Sequence, residues 1–245
     1  MRATIRCYAE LNDFLPPERR QVAFEHAWDG PVSVKDLLEG LGVPHGEVDL
    51  LLVNGESCGF DRRVEDGDRV AAYPVFESFD IARETKVRPE PLRETRFVLD
   101  VHLGRLAALL RLAGFDALYR RDLGDAELAD ISASTKRILL SRDQALLKRR
   151  IVTHGYWVRS TDPARQLAEV IGRFDLRRTA RPFSRCTVCN GAMTVATLAE
   201  VADRVPPRSR ERHDDYRRCT GCGRVYWKGT HYERLSRLLE EALSG

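Results

Sequence analysis

The chain has 245 residues and a mass of 27.9 kDa, with 43% hydrophobic and 31% charged residues. That mixture excludes a fully disordered or fibrous polypeptide. No run approaches the ~20 apolar residues of a membrane span, and the opening MRATIRCYAELNDF lacks the apolar core of a secretory signal. A cytoplasmic protein with no membrane partner is therefore expected, in a reducing compartment where six cysteines do not form a disulfide framework. The net charge of +3 conceals a split. Residues 1–85 hold nine Lys and Arg against seventeen Asp and Glu, a balance of −8, and residues 86–245 hold 31 against 20, a balance of +11. Such asymmetry suggests two domains with different electrostatic tasks, the basic part suited to a polyanion.

The first region alternates as a strand over MRATIRCYAEL. QVAFEHAW reads as its hairpin partner, with Val22 and Phe24 on one face. Ser33 then precedes a helix whose Val34, Leu37, Leu38 and Leu41 fall at helical spacing before Gly42. LLLVNGE is a strand running into an Asn-Gly turn, and EDGDRVAAYPVF is an Asp-Gly turn running into a strand. The order ββαββ predicts a small β-grasp domain over residues 1–85.

Val53-Asn54-Gly55 and Asp66-Gly67-Asp68-Arg69-Val70 resemble the ubiquitin-like sulfur-carrier proteins of the ThiS and MoaD type over about the first 80 residues. Those carriers end in an exposed Gly-Gly, whereas this chain reads PVFESFD and continues. Without that terminal carboxylate there is nothing to adenylate. The domain is read as a docking module for a protein partner rather than a carrier.

ARETKVRPEPLRET, with Pro89 and Pro91, is a predicted linker. Strands and helices then alternate over residues 95–180: RFVLD, a helix with Leu103, Leu106, Leu110 and Ala113 on one side, FDALYR, the helix DAELADISAS, RILLS, the helix DQALLKRR, GYWVRS, and a helix opened by Asp162-Pro163. Such βα repeats predict an α/β domain with a parallel sheet and functional groups beyond the strand C-termini.

Residues 181–245 carry Cys186-Thr187-Val188-Cys189 and Cys219-Thr220-Gly221-Cys222, with 29 residues between the pairs. Each knuckle brings two thiolates to one metal, so the two together predict a zinc ribbon with a closed, structural site. Cys7 and Cys58 lie far off in the first domain and read as buried apolar side chains.

Asp100 ends the first strand of the α/β region and Asp143 follows the third, while Asp122, Asp125, Glu127 and Asp130 cluster at the start of the second helix. Carboxylates converging at one sheet edge need cations to relieve their repulsion, which is the chemistry of magnesium or manganese sites. The plainer reading is a set of helix N-caps, a position where Asp is favoured.

The stretch FVLDVHLGRLAALLRLAGFDALYRRDLGDAELADIS, with RILLSRD after it, resembles the Mut-seven C-terminal RNase family, a branch of the PIN-like nuclease fold. Asp100, Leu103-Gly104-Arg105-Leu106-Ala107, Leu110-Arg111-Leu112, Asp125-Ala126-Glu127-Leu128 and Ser141-Arg142-Asp143 carry the likeness. The zinc ribbon, Asp203-Arg204-Val205-Pro206-Pro207 and an acidic ubiquitin-like front domain fit the family as well. The resemblance implies a ribonuclease in which Asp100, Asp125 and Asp143 bind catalytic magnesium or manganese, with Asp122 and Glu127 as further acidic candidates. The implied products carry a 3′-hydroxyl and a 5′-phosphate.

Arginine and lysine crowd residues 173–185 and 204–228, with Tyr216, Tyr226, Trp227 and Tyr232 interleaved among or beside them. Arginines offer paired donors to phosphate and exposed rings offer faces to unstacked bases. Arg105, Arg142, Arg181, Arg185, Arg217, Arg218 and Lys228 are the expected RNA contacts, although Trp227 reads first as ribbon core. A non-catalytic RNA-binding adaptor is the alternative function, with the same basic surface. The acidic front domain is expected to compete with RNA for that surface, to guide a partner to it, or to be a passive fused module.

Overall fold

The computed structural model describes residues 1–74, 86–87, 95–229 and 231–244. In chain order the elements are β1 (Arg2–Cys7), β2 (Phe24–Ala27), α1 (Val34–Gly40), β3 (Val48–Val53), β4 (Glu56–Ser57), β5 (Arg69–Pro74), β6 (Arg96–Leu99), α2 (Gly104–Leu112), β7 (Asp116–Leu118) and α3 (Asp125–Thr135). After them come β8 (Ile138–Ser141), α4 (Gln144–Leu147), β9 (Gly155–Trp157), α5 (Pro163–Arg173), β10 (Met193–Ala196), α6 (Leu198–Val201), α7 (Pro207–Arg210), β11 (Tyr216–Cys219), β12 (Val225–Trp227) and α8 (Tyr232–Ser244). Short 3-10 turns fill several connections, among them Val101–Leu103 after β6. The predicted linker with Pro89 and Pro91 lies almost wholly outside the described residues.

The chain divides into two compact units, Met1–Glu94 with Asp125–Trp157, and Thr95–Gly124 with Val158–Gly245. In the first unit, β2-β1-β5-β3-β4 form one mixed sheet in which β1 and β5 run parallel, Thr4 opposite Arg69, and the other pairs antiparallel. Ala3, Ile5 and Cys7 alternate inward along β1 and meet Val34, Leu37 and Leu38 of α1, all buried. Ser33 caps that helix by accepting from the Asp36 amide at 3.1 Å. The Asn54-Gly55 turn takes positive φ at both residues, 54° and 91°, which is the demand of a tight β-turn between β3 and β4. This is the expected β-grasp. Val22 departs from the reading: β2 starts two residues later, and Val22 is left 47% exposed.

The same unit holds α3, β8, α4 and β9. β8 and β9 pair in parallel, Leu140 opposite Tyr156, with α4 between them in sequence. The β-grasp part contacts this segment through buried groups. The Glu47 carboxylate, 1% exposed, accepts from the Trp157 amide at 2.5 Å, and the Phe14 ring lies 5.2 Å from the Trp157 ring. Lys148 Nζ donates to the Glu39 carbonyl at 3.2 Å. A Cβ on Gly46 would stand 3.3 Å from the Gly155 nitrogen, so the two backbones pass closely.

In the second unit β6 and β7 pair in parallel, Phe97 opposite Ala117. Leu103, Leu106, Leu110 and Ala113, the predicted face of the first helix, are buried. α5 packs against α2 and α8, and its N-cap Asp162 accepts from Arg165 N at 2.9 Å, with Pro163 in the first turn. A separate antiparallel sheet β10-β11-β12 forms the ribbon. Its small core is Ala196, Val201, Val205 and the fully buried Tyr216, with Val225 and Trp227 packed on it.

Candidate metal centre, acidic loops and basic groove

Four thiols converge at the ribbon. The Sγ atoms of Cys186, Cys189, Cys219 and Cys222 all lie within 4.8 Å of one another. Cys186 and Cys222 are 3.7 Å apart, and Cys189 and Cys219 are 3.3 Å apart. A tetrahedral ion with metal–sulfur bonds of ~2.3 Å requires sulfur separations of about 3.8 Å. The four cysteines can therefore hold a zinc ion.

The knuckles supply the amide donors that thiolates need. Gly221 N and Cys222 N lie 3.3 and 3.5 Å from Cys219 Sγ. The Tyr226 hydroxyl is 3.2 Å from Cys186 Sγ and 3.2 Å from Thr187 Oγ1. Burial works against ionising Cys186, but the Tyr226 hydroxyl and the knuckle amides outweigh it and bring the thiol down to about 6. Cys7, in the β-grasp core, is pushed up to about 12 by burial and stays a protonated apolar side chain, as expected for it.

The first knuckle is joined to β7 and α2 by polar contacts that the sequence did not announce. Arg111, only 4% exposed, donates to the carbonyls of Ala117 at 2.8 Å, Thr187 at 3.1 Å and Val188 at 2.9 Å. Burial pulls its pKa down, and the neighbouring Cys186 and Cys189 oppose that shift. Asn190, in the left-handed region at φ 68°, donates to Asp116 Oδ1 at 2.7 Å and accepts from Ala117 N at 3.2 Å. Arg185 donates to the Asn190 carbonyl at 2.9 Å and stands 4.0 Å from Asp116. An Arg set among leucines and an Asn after Cys-x-x-Cys were the available signals.

The acidic candidates occupy three settings. Asp100, in the second unit, follows β6 and is 4% exposed; its side chain makes no capping bond to the 3-10 turn after it. Gly104 makes room beside this loop for Tyr119, whose hydroxyl donates to the Val101 carbonyl at 3.0 Å. A Cβ at Gly104 would meet that hydroxyl at 2.6 Å. Asp122 is exposed and ion-paired with Arg120 at 2.5 Å, a contact that holds its carboxyl below the usual range. Asp125 and Glu127 lie exposed in the first turn of α3, and Asp143 follows β8, all in the first unit. Asp143 is the N-cap of α4, accepting from Ala145 N at 2.7 Å, while the buried Ser141 hydroxyl accepts from Asp143 N at 2.8 Å. The hydroxyl of the Ser141-Arg142-Asp143 motif thus fixes the loop that carries the acid.

The basic candidates also separate. Arg105, Arg181, Arg218 and Lys228 are exposed, and Arg142 and Arg217 half-buried. Arg185 is engaged at the knuckle. Tyr216, read as one of the interleaved rings, is core: its hydroxyl donates to the His213 carbonyl at 2.5 Å. Trp227 packs on that core as expected. Two adjoining hollows of about 260 and 480 Å³ open on the ribbon, sharing Leu112, Phe183, Thr187, Tyr226, Trp227 and Tyr232.

A ubiquitin-like sheet, a βα region with an acidic residue closing its first strand, and a four-cysteine ribbon together define a ubiquitin-fused, nuclease-type protein. The Mut7-C RNAse domain family matches residues 95–239, and the Mut7-C ubiquitin family matches residues 1–80. The chain belongs to the Mut7-C RNase family and carries that family's ubiquitin-like domain. No curated protein and no solved structure matches it. Among the described residues, no helix is long and apolar enough to cross a membrane.

Proposed function

We propose that the protein is a metal-dependent ribonuclease that hydrolyses RNA phosphodiester bonds and works in the cytoplasm, where its thiols stay reduced. The observation that supports this most is Asp100: a buried carboxylate at a strand end, whose side chain makes no capping bond to the turn after it, in a chain whose RNase-family match begins at residue 95. Asp100, Asp125 and Asp143 are hard oxygen donors of the kind that would hold magnesium or manganese, with Asp122 and Glu127 as further candidates. Such an ion, when bound, supplies a water of lowered pKa and neutralises phosphate charge. The chain's own part is to hold these acids on loops braced by Ser141 and by Tyr119, and to hold RNA through Arg105, Arg142, Arg181, Arg217, Arg218 and Lys228, with Arg185 engaged at the knuckle instead.

The second reading, an RNA-binding adaptor that recruits a partner through the ubiquitin-like domain, is favoured by the pairing of Asp122 with Arg120. End-labelled single-stranded RNA incubated with the protein separates the two. The ribonuclease cuts with magnesium or manganese and stops with chelator or with Asp100→Asn. Binding without cutting under every metal condition would leave the adaptor.

A further inference from the structure

The two hollows on the ribbon are walled by the rings of Phe183, Tyr226, Trp227 and Tyr232 together with aliphatic side chains such as Leu112 and Met193. Phe183 and Tyr232 stack on each other at 4.8 Å with 30° between their planes. Trp227, at the end of β12, forms part of both hollows. Gly229 lies close beside it, and a Cβ there would stand 3.1 Å from the indole nitrogen. The Gly229 carbonyl accepts from Tyr232 N at 2.9 Å, so this turn sets where the Tyr232 ring begins α8.

The rim is cationic. Arg185, Arg208, Arg212, Arg217 and Lys228 line the two hollows against a single acid, Asp215. That acid is paired with Lys228 at 2.9 Å, and the Lys228 ammonium lies 5.7 Å from the Tyr232 ring centre. An aliphatic protein segment would use the apolar floor but not this ring of cations. Inorganic phosphate would use the cations but not the rings. A ligand with flat apolar faces joined by phosphates uses both.

The geometry points to a nucleobase subsite: the ribbon groove takes an unstacked base of single-stranded RNA against Tyr232, Phe183 and Trp227 while the rim arginines hold the flanking phosphates. This rests on the ribonuclease reading and adds to it a substrate class, single-stranded rather than duplex RNA, and a holding site built from the ribbon. Base–aromatic stacking is sequence-tolerant, because every base has a π-face, so the subsite favours unpaired over paired RNA rather than one sequence over another.

The test measures binding of the full, zinc-loaded chain to three labelled probes of equal length: oligouridylate, an abasic ribose-phosphate oligomer, and an RNA duplex. The groove predicts that oligouridylate binds on the order of five- to a hundredfold more tightly than the abasic oligomer, the range that one stacked base supplies. Tyr232→Ala, at a half-exposed ring, abolishes that preference and leaves abasic binding unchanged. Tyr232→Phe retains it, and Arg217→Glu weakens both single-stranded probes. Equal affinity for oligouridylate and the abasic oligomer in the unaltered protein overturns the base subsite while leaving the ribonuclease reading standing. A preference that survives Tyr232→Ala moves the subsite elsewhere and overturns this assignment. Failure to bind any of the probes overturns both readings.

Discussion

The buried guanidinium of Arg111 donates to the Val188 carbonyl at 2.9 Å, across 77 positions of sequence, and so joins helix α2 to the first cysteine knuckle. The same side chain reaches Thr187 and Ala117, so three carbonyls depend on one cation. A zinc ion with four thiolates carries net negative charge, and Cys186 and Cys189 favour the charged form of Arg111 beside them. The nuclease-family helix and the ribbon are therefore one electrostatic and hydrogen-bonded assembly.

Arg111→Met tests this. The methionine fills similar volume but leaves three carbonyls without their donor, a loss of about 3 kcal/mol or more. Thermal unfolding should fall accordingly, and zinc should be lost to a chelator faster than from the unaltered chain, as read by a colorimetric zinc indicator. An unchanged unfolding temperature with unchanged zinc retention would show that the tie carries no weight.

Asp143 caps α4 and, in the proposed function, also holds a divalent ion, and one substitution separates the two. Asn caps a helix about as well as Asp, so Asp143→Asn keeps the bond to Ala145 N and should shift stability by less than ~0.5 kcal/mol. A divalent-metal ligand, by contrast, needs the charge. The expected result is an unfolding curve close to the original with RNA cleavage reduced at least ~100-fold, since a metal site loses several kcal/mol of charge stabilisation. Retained cleavage would return Asp143 to a purely structural cap.

Local signals were legible because their causes are local. Ser33 and Asp162 cap their helices, Asn54-Gly55 turns a strand, and each Cys-x-x-Cys forms its own knuckle, all set by residues within a few positions, while the pairing of the two knuckles followed from their chemistry. The buried face of α2 followed from spacing alone. What stayed hidden depends on distant partners. Arg111 reads as the polar residue of an amphipathic helix until the knuckle carbonyls arrive. Arg185 reads as surface charge, yet Asn190 and Asp116 take it. Residues 125–157 group with the front domain through contacts between distant positions, such as Glu47 with Trp157, 110 positions apart, which no periodicity connects.

His45 gives the first unit a pH dependence. It is buried, with Nδ1 2.6 Å from Glu39 Oε1, and Lys35 lies 3.6 Å from the other Glu39 oxygen. Phe60 meets the ring edge-on at 5.6 Å, and the Val152 carbonyl faces it from the α4–β9 segment. Burial lowers the His45 pKa, and Glu39 only partly offsets this. The folded state therefore resists a proton that the unfolded chain accepts below about 6.5. The stability from neutral His45 is present above that pH and lost as pH falls from there through the lower pKa of the folded state. Urea unfolding at pH 8 and pH 5.5 should show the loss, and His45→Gln should show a smaller one. Equal losses in the two proteins would mean that His45 is not held neutral.

The contact between Glu47 and Trp157 bears on how the acidic front domain is held. A domain held only by its charge of −8 would loosen with salt, because exposed charges are screened beyond ~8–10 Å at physiological ionic strength. Glu47, however, is 1% exposed and accepts from a backbone amide of β9, where salt does not reach. Glu47→Ala leaves that amide without its acceptor and should cost about 1–3 kcal/mol. Glu47→Gln keeps a carbonyl oxygen in place and should cost less. Hydrogen exchange at the Trp157 amide provides the local readout. It should be slow in the unaltered protein, slow or slightly faster in Glu47→Gln, and markedly faster in Glu47→Ala, at low and high salt alike. If exchange instead accelerates with salt in the unaltered protein, the front domain is held electrostatically, and competition with RNA for the basic surface becomes the better account of its acidity.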